Sequence, residues 1–97
     1  MSRAEPEVVW ELLVRRVGRV LARDPASITR EDRFDDDLHA DSLDLLEIVE
    51  GVEQDLRERG TQVSVADEEL ALLQTVGDAA DRLAADAGGG REGTAEA

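Results

Sequence analysis

The residue best placed to do chemistry in this chain is a serine at the head of an acidic helical stretch. Ser42 lies between Asp41 and Leu43, where the apolar spacing predicts that a helix begins. A hydroxyl in that place is ordinarily a cap for the unsatisfied N–H groups of the first turn. A phosphodiester on the same oxygen would also be favoured there, because those N–H groups and the positive end of the helix dipole attract anions. The junction of loop and helix leaves the hydroxyl open to an approaching enzyme.

Around this serine the charge is one-sided. From Asp35 to Leu56 the chain holds nine carboxylates and no Lys or Arg: Asp35, Asp36, Asp37, Asp41, Asp44, Glu47, Glu50, Glu53 and Asp55. Asp44, Glu47 and Glu50 fall near one another on the helix side away from its apolar stripe. Like charges at that spacing cost a few tenths of a kcal/mol per pair. Asp41 and Asp44 recover part of the cost through the helix dipole. Such a face is either merely solvated or a docking surface. The absence of any Lys or Arg between Asp35 and Arg57 favours docking.

Other chemistries fit poorly. An EF-hand loop counted from Asp35 would place His39 fifth, Ala40 where glycine is required and Leu46 twelfth, which breaks the pattern. His39 is the only histidine and there is no cysteine, so metal clusters, thiolate nucleophiles and disulfides have no support and no metal is expected. His39 as a base for Ser42 is outweighed by an exposed loop histidine. Gly88 to Gly90 is followed by neither a lysine nor a helix, so it is no phosphate loop.

Something must position Ser42, and 97 residues allow one domain to do it. Hydrophobic residues make up 41% and aromatics 2%, Trp10 and Phe34 alone, so the core is aliphatic. With 24 acidic residues against 11 basic, the net charge of −13 opposes nucleic acid and anionic membranes and favours basic protein partners. No apolar span is visible, and a cytoplasmic monomer is expected.

The spacing predicts a helix over 5–22, with Pro6 in its first turn and an inner stripe of Trp10, Leu13, Val14, Val17, Val20 and Leu21. Arg15, Arg16 and Arg19 fall on its other side, and Asp24-Pro25 stops it. A long connection over 23–41 carries the isolated apolar residues Ile28, Phe34 and Leu38, which should pin it to a core. Leu45, Ile48, Val49, Val52 and Leu56 mark a second helix over 42–59, ended by Gly60. Residues 61–66 read as a linker and 67–73 as a short helix using Leu70 and Leu73. Thr75, with Asp78 three residues on, caps a last helix through Val76, Ala79, Ala80 and Leu83 to about Ala87. The expectation is an all-α bundle of three longer helices and one short one, with a domain over 1–87 and a disordered Gly-rich tail over 88–97.

The order of these features resembles the acyl carrier protein family. The run from Phe34 through Asp41, Ser42, Leu43 and Asp44 to Glu47 matches its aromatic anchor, its Asp-Ser-Leu step and its acidic helix. Ile28-Thr29 upstream and Thr75 to Ala79 downstream match its flanks, so the similarity spans roughly residues 5–86. The resemblance implies a four-helix acyl-carrier-like bundle that is no enzyme itself. Ser42, between Asp41 and Leu43, would carry 4′-phosphopantetheine from coenzyme A, attached by a phosphopantetheinyl transferase using magnesium. The arm's thiol would hold acyl groups as thioesters for fatty-acid or polyketide-type biosynthesis by a discrete carrier. Leu43, Asp44, Glu47, Glu50 and Glu53 would dock basic surfaces of acyltransferase and ketosynthase-type enzymes. Ile48, Val49, Val52 and Leu56 would line a cleft for the acyl chain.

Three departures stand out: His39 replaces the family's usual Gly, Glu50 sits where fatty-acid carriers often have an apolar residue, and the segment from Arg57 to Val65 is long. An aminoacyl or peptidyl carrier, with its less acidic helix, and an unmodified acidic helical adaptor, in which Ser42 is only a cap, are the alternatives.

Overall fold

The computed structural model describes residues 5–87. Four helices follow in order: α1 (Pro6–Leu21), α2 (Ser42–Glu58), α3 (Asp67–Leu70) and α4 (Val76–Ala87), with a 3-10 turn at Pro25–Ser27 in the first connection. Among the described residues there is no strand, only one isolated antiparallel bridge between Arg33 and Thr75. This is the expected all-α bundle of three longer helices and one short one, with a long first loop. The tail expected from Gly88 onward lies outside the described residues.

Pro6 opens α1 at a position where its missing N–H costs nothing. The face that α1 buries is rotated from the expected stripe. Val9, Leu12, Leu13, Val14 and Val17 are in the core, whereas Trp10, Val20 and Leu21 are only partly buried against it. Ala22 ends the helix in the left-handed region at φ 57°, and the chain folds back so that the Arg23 N–H donates to the Gly18 carbonyl at 2.9 Å. A Cβ on Gly18 would lie 2.6 Å from the Arg23 carbonyl oxygen, so this reversal requires glycine.

On α2 the predicted stripe is the buried one: Leu45, Ile48, Val49, Val52 and Leu56 are all in the core. The helix closes as foreseen at Gly60, with φ +87°. The Thr61 N–H donates to the Leu56 carbonyl and the Gly60 N–H to that of Arg57, the paired bonds of a Schellman ending.

Arg16 does not face solvent as its place on α1 suggested. Its Nε and one terminal nitrogen donate to the two oxygens of Asp55 on α2, at 3.0 and 2.9 Å, with both side chains about three-quarters buried. Gly51 makes room for this pair, since a Cβ there would stand 2.7 Å from the Arg16 side chain. The hydrogen bonds from Arg16 hold the Asp55 carboxyl below the ordinary carboxylate value.

The first loop is ordered as its three apolar residues implied: Ile28, Phe34 and Leu38 are buried. Each contributes about 1.5–3 kcal/mol, which offsets only part of the ordering cost of about 1–2 kcal/mol per residue. Hydrogen bonds to Gln74 and the first residues of α4 supply further order. The Phe34 N–H donates to the Gln74 carbonyl, the Val76 N–H to that of Asp32 and the Gly77 N–H to that of Arg30. The loop's last turn then places His39 at φ +56°.

Residues 61–66 are more than a linker. They run extended with Thr61, Val63 and Val65 buried in alternation, and the Val65 N–H donates to the Glu53 carboxylate at 2.8 Å. The short helix α3 ends at Leu70 rather than reaching residue 73, and a turn completes it. Glu69 ties it to α4 through Arg82 at 2.7 Å. Thr75 and Asp78 cap α4 reciprocally, as foreseen: the Asp78 N–H donates to the Thr75 hydroxyl at 3.0 Å and the Thr75 N–H to the Asp78 carboxylate at 3.1 Å.

Asp55→Asn should destabilise the protein by about 1–2 kcal/mol at pH 7, between the values of exposed and buried pairs. Because the folded protein depresses this carboxyl, its contribution is complete above the unfolded value of about 3.9 and fades as pH falls through the lower folded one. The gap between wild type and variant in urea unfolding should therefore narrow below about pH 4. At His39, replacement by Gly relieves the left-handed backbone, whereas a β-branched residue aggravates it. Thermal unfolding should rank Gly above His and Val lowest, with His39→Val costing about 1–2 kcal/mol.

Candidate functional site

The first turn of α2 is built by two aspartates. The Asp44 N–H donates to the Asp41 carboxylate at 2.8 Å, and the Asp41 N–H donates to the Asp44 carboxylate at 3.2 Å. This reciprocal box satisfies the Asp41 and Asp44 N–H groups and leaves those of Ser42 and Leu43 without an intrahelical acceptor. Ser42 is thereby released from capping. It is exposed, and its hydroxyl makes no hydrogen bond among the described residues. Beside it, Leu43 is 64% exposed, an unusual place for a leucine.

His39 stands three residues earlier and is also exposed. Its imidazole makes no hydrogen bond to Ser42 among the described residues. The turn that carries it is closed by the Ala40 N–H donating to the Phe34 carbonyl at 2.7 Å and the His39 N–H donating to that of Asp35. These bonds set the path by which the chain enters α2.

A groove of about 460 Å³ opens beside Ser42, between the first loop, the start of α2 and the α3 turn. Phe34, Ala40, Leu45, Leu46, Leu70 and Leu73 make its surface largely apolar. Asp35, Asp41 and Asp67 are the acidic residues on its lining, and Arg33 is the only basic one. The Asp35 carboxyl is held below the ordinary range, first by the N–H of Asp36 at 2.6 Å and then by Arg33.

The structure divides the other residues expected to serve the site. Glu47 and Glu50 are exposed on α2 and make no ion pair among the described residues. Asp44 is half-buried and spends one oxygen on the capping box. Glu53 is half-buried and accepts the Val65 N–H. Ile48, Val49, Val52 and Leu56 come together in the core, with relative exposures of 0%, 1%, 0% and 0%, and none of them lines the groove. Leu45 and Leu46, one turn nearer Ser42, line it instead.

Sequence reasoning missed Arg33, Leu46 and Asp67 as groove residues, and Leu72, which is 74% exposed just beyond α3. Arg33 had a signal, being the last arginine before a stretch without one that runs to Arg57. No helix among the described residues is long and apolar enough to cross a membrane.

An exposed, unbonded serine at a helix start, a free acidic face and an apolar groove now stand together. The protein-family model described as the phosphopantetheine attachment site matches residues 11–83, which include α2, the groove and all but the first turn of α1. The chain belongs to that family and is a carrier protein whose covalent prosthetic group is 4′-phosphopantetheine.

Proposed function

We propose that Ser42 bears the 4′-phosphopantetheine arm, and that the domain over residues 1–87 carries acyl intermediates for fatty-acid or polyketide-type biosynthesis. The observation that carries this assignment is the transfer of capping from Ser42 to Asp41, which leaves an exposed hydroxyl with no bond to break.

The local residues fit the group. The Ser42 and Leu43 N–H groups lie in the first turn and have no intrahelical acceptor, so a phosphate on Ser42 Oγ finds donors and a favourable dipole. The groove offers apolar surface beside the attachment point. When bound, the arm supplies a thiol that holds the cargo as a thioester.

In the loading step Ser42 Oγ would form the new bond to phosphorus as the P–O bond within the diphosphate of coenzyme A breaks, the nucleotide portion leaving as adenosine 3′,5′-bisphosphate and the serine proton passing to a base. No side chain able to take the Ser42 proton bonds to that oxygen among the described residues. The transferase therefore supplies the base, and this chain supplies the approach. Leu43 offers an apolar foothold next to the nucleophile. Glu47 and Glu50, unspent on internal bonds, offer charge to the basic surfaces of acyltransferase and ketosynthase-type partners. This acidic face favours an acyl carrier over an aminoacyl or peptidyl one.

Ser42→Ala should abolish the mass gain of one phosphopantetheine on incubation with coenzyme A and a broad-specificity transferase. Stability should change by less than about 0.5 kcal/mol, since no bond is lost. Asp41→Ala should cost about 1 kcal/mol, as the true cap is removed. Glu47→Lys should weaken binding to a cognate acyltransferase or ketosynthase several-fold at low salt, with the loss shrinking as ionic strength rises. Equal affinities for wild type and this variant would remove Glu47 from the docking surface.

A further inference from the structure

Arg33 pairs by charge with Asp35 and Asp36, and its side chain is 40% exposed. It is the only basic residue on the groove that opens beside Ser42. Its Nε is buried and makes no hydrogen bond among the described residues. The Asp35 and Asp36 carboxylates lie 3.3 and 3.5 Å from that nitrogen, close enough to hold the side chain by charge but not aligned to accept from it. Its terminal nitrogens donate to no acceptor among the described residues. Leaving a buried donor unbonded is costly. A simple tie to the acidic loop would more readily be made with the guanidinium's N–H fork turned onto those carboxylates.

The surroundings specify what else would pair with it. The groove walls are mostly apolar, which strengthens any charged contact made against them. The remaining charged groups on the lining are the carboxylates of Asp35, Asp41 and Asp67, which would repel an anion entering alone. A planar guanidinium can receive two oxygens of one oxyanion along its free edge, which a lysine cannot do.

We propose that Arg33 receives an oxyanion carried on the arm at Ser42: the phosphodiester that every loaded form contains, or the carboxylate of a carboxyacyl cargo. This role rests on Ser42 bearing the arm. It makes Arg33 a positioning residue that turns the arm toward the groove and, in the carboxylate case, selects the cargo.

The test uses the full chain in four forms, each checked by mass: apo, arm alone, arm with a butyryl thioester and arm with a malonyl thioester. The readout is the arginine side-chain N–H spectrum, with the Arg33 signal assigned by its loss in Arg33→Lys and exposed Arg57 as the control. A shift of the Arg33 signal beyond that of Arg57 between apo and arm alone identifies the phosphodiester. A shift that appears with malonyl but not butyryl identifies the carboxylate. An Arg33 signal that moves no more than Arg57 in every loaded form overturns the proposal and leaves Ser42 untouched. Failure of the arm to load overturns the Ser42 assignment and this one with it. Should Arg33→Lys fail to fold, Arg33→Gln supplies the assignment.

Discussion

One pair of reciprocal hydrogen bonds determines what this molecule offers to other proteins. Asp41 accepts the Asp44 N–H and Asp44 accepts the Asp41 N–H, so the head of α2 is closed without its serine. A cap serine would have to give up a hydrogen bond before it could react. Here the hydroxyl stands free, while the first-turn N–H groups that suit a phosphate remain available. The far end of the same helix is held by Arg16 on Asp55, which fixes α2 against α1. The serine is thus presented by a helix secured at both ends.

The acidic character of the chain resolves into separate tasks. Asp41 and Asp44 cap, Asp55 joins two helices, Glu53 holds the extended segment at Val65, and Asp35 and Asp36 flank Arg33. Asp37 accepts the Arg33 backbone N–H at 2.8 Å and so closes the loop turn. Of the nine carboxylates between Asp35 and Leu56, only Glu47 and Glu50 remain without a partner among the described residues. The unpaired acidic surface is narrower than the sequence suggests, and it lies one to two turns from Ser42.

Local patterns were legible in the sequence and long-range ones were not. The stripe from Leu45 to Leu56, the Thr75 and Asp78 cap and the glycine ending at Gly60 each depend on neighbours within about one to three helical turns. The three loop anchors were legible because an isolated apolar residue in polar sequence has little reason to stay in water. The phase of α1 was not, because Val8, Val9, Trp10, Leu12, Leu13 and Val14 are apolar on several sides and only packing against α2 and α4 decides which side turns in. Arg16 and Asp55 are 39 residues apart, and no spacing rule joins them. The alternation of Thr61, Val63 and Val65 was visible, but it is too short to tell a buried strap from a linker. One periodicity serves a core and a cleft alike, so the stripe by itself does not say which of its residues line the groove beside Ser42.

The bond from the Val65 N–H to Glu53 links the extended segment to the acidic ridge. While it holds, Glu53 is screened and the ridge ends at Glu50. Any displacement of that segment which breaks the bond returns a carboxylate to water one turn beyond Glu50 and lengthens the charged track. The shape of the strap and the electrostatic footprint of the carrier are in this way a single variable: whatever moves the one rewrites the other.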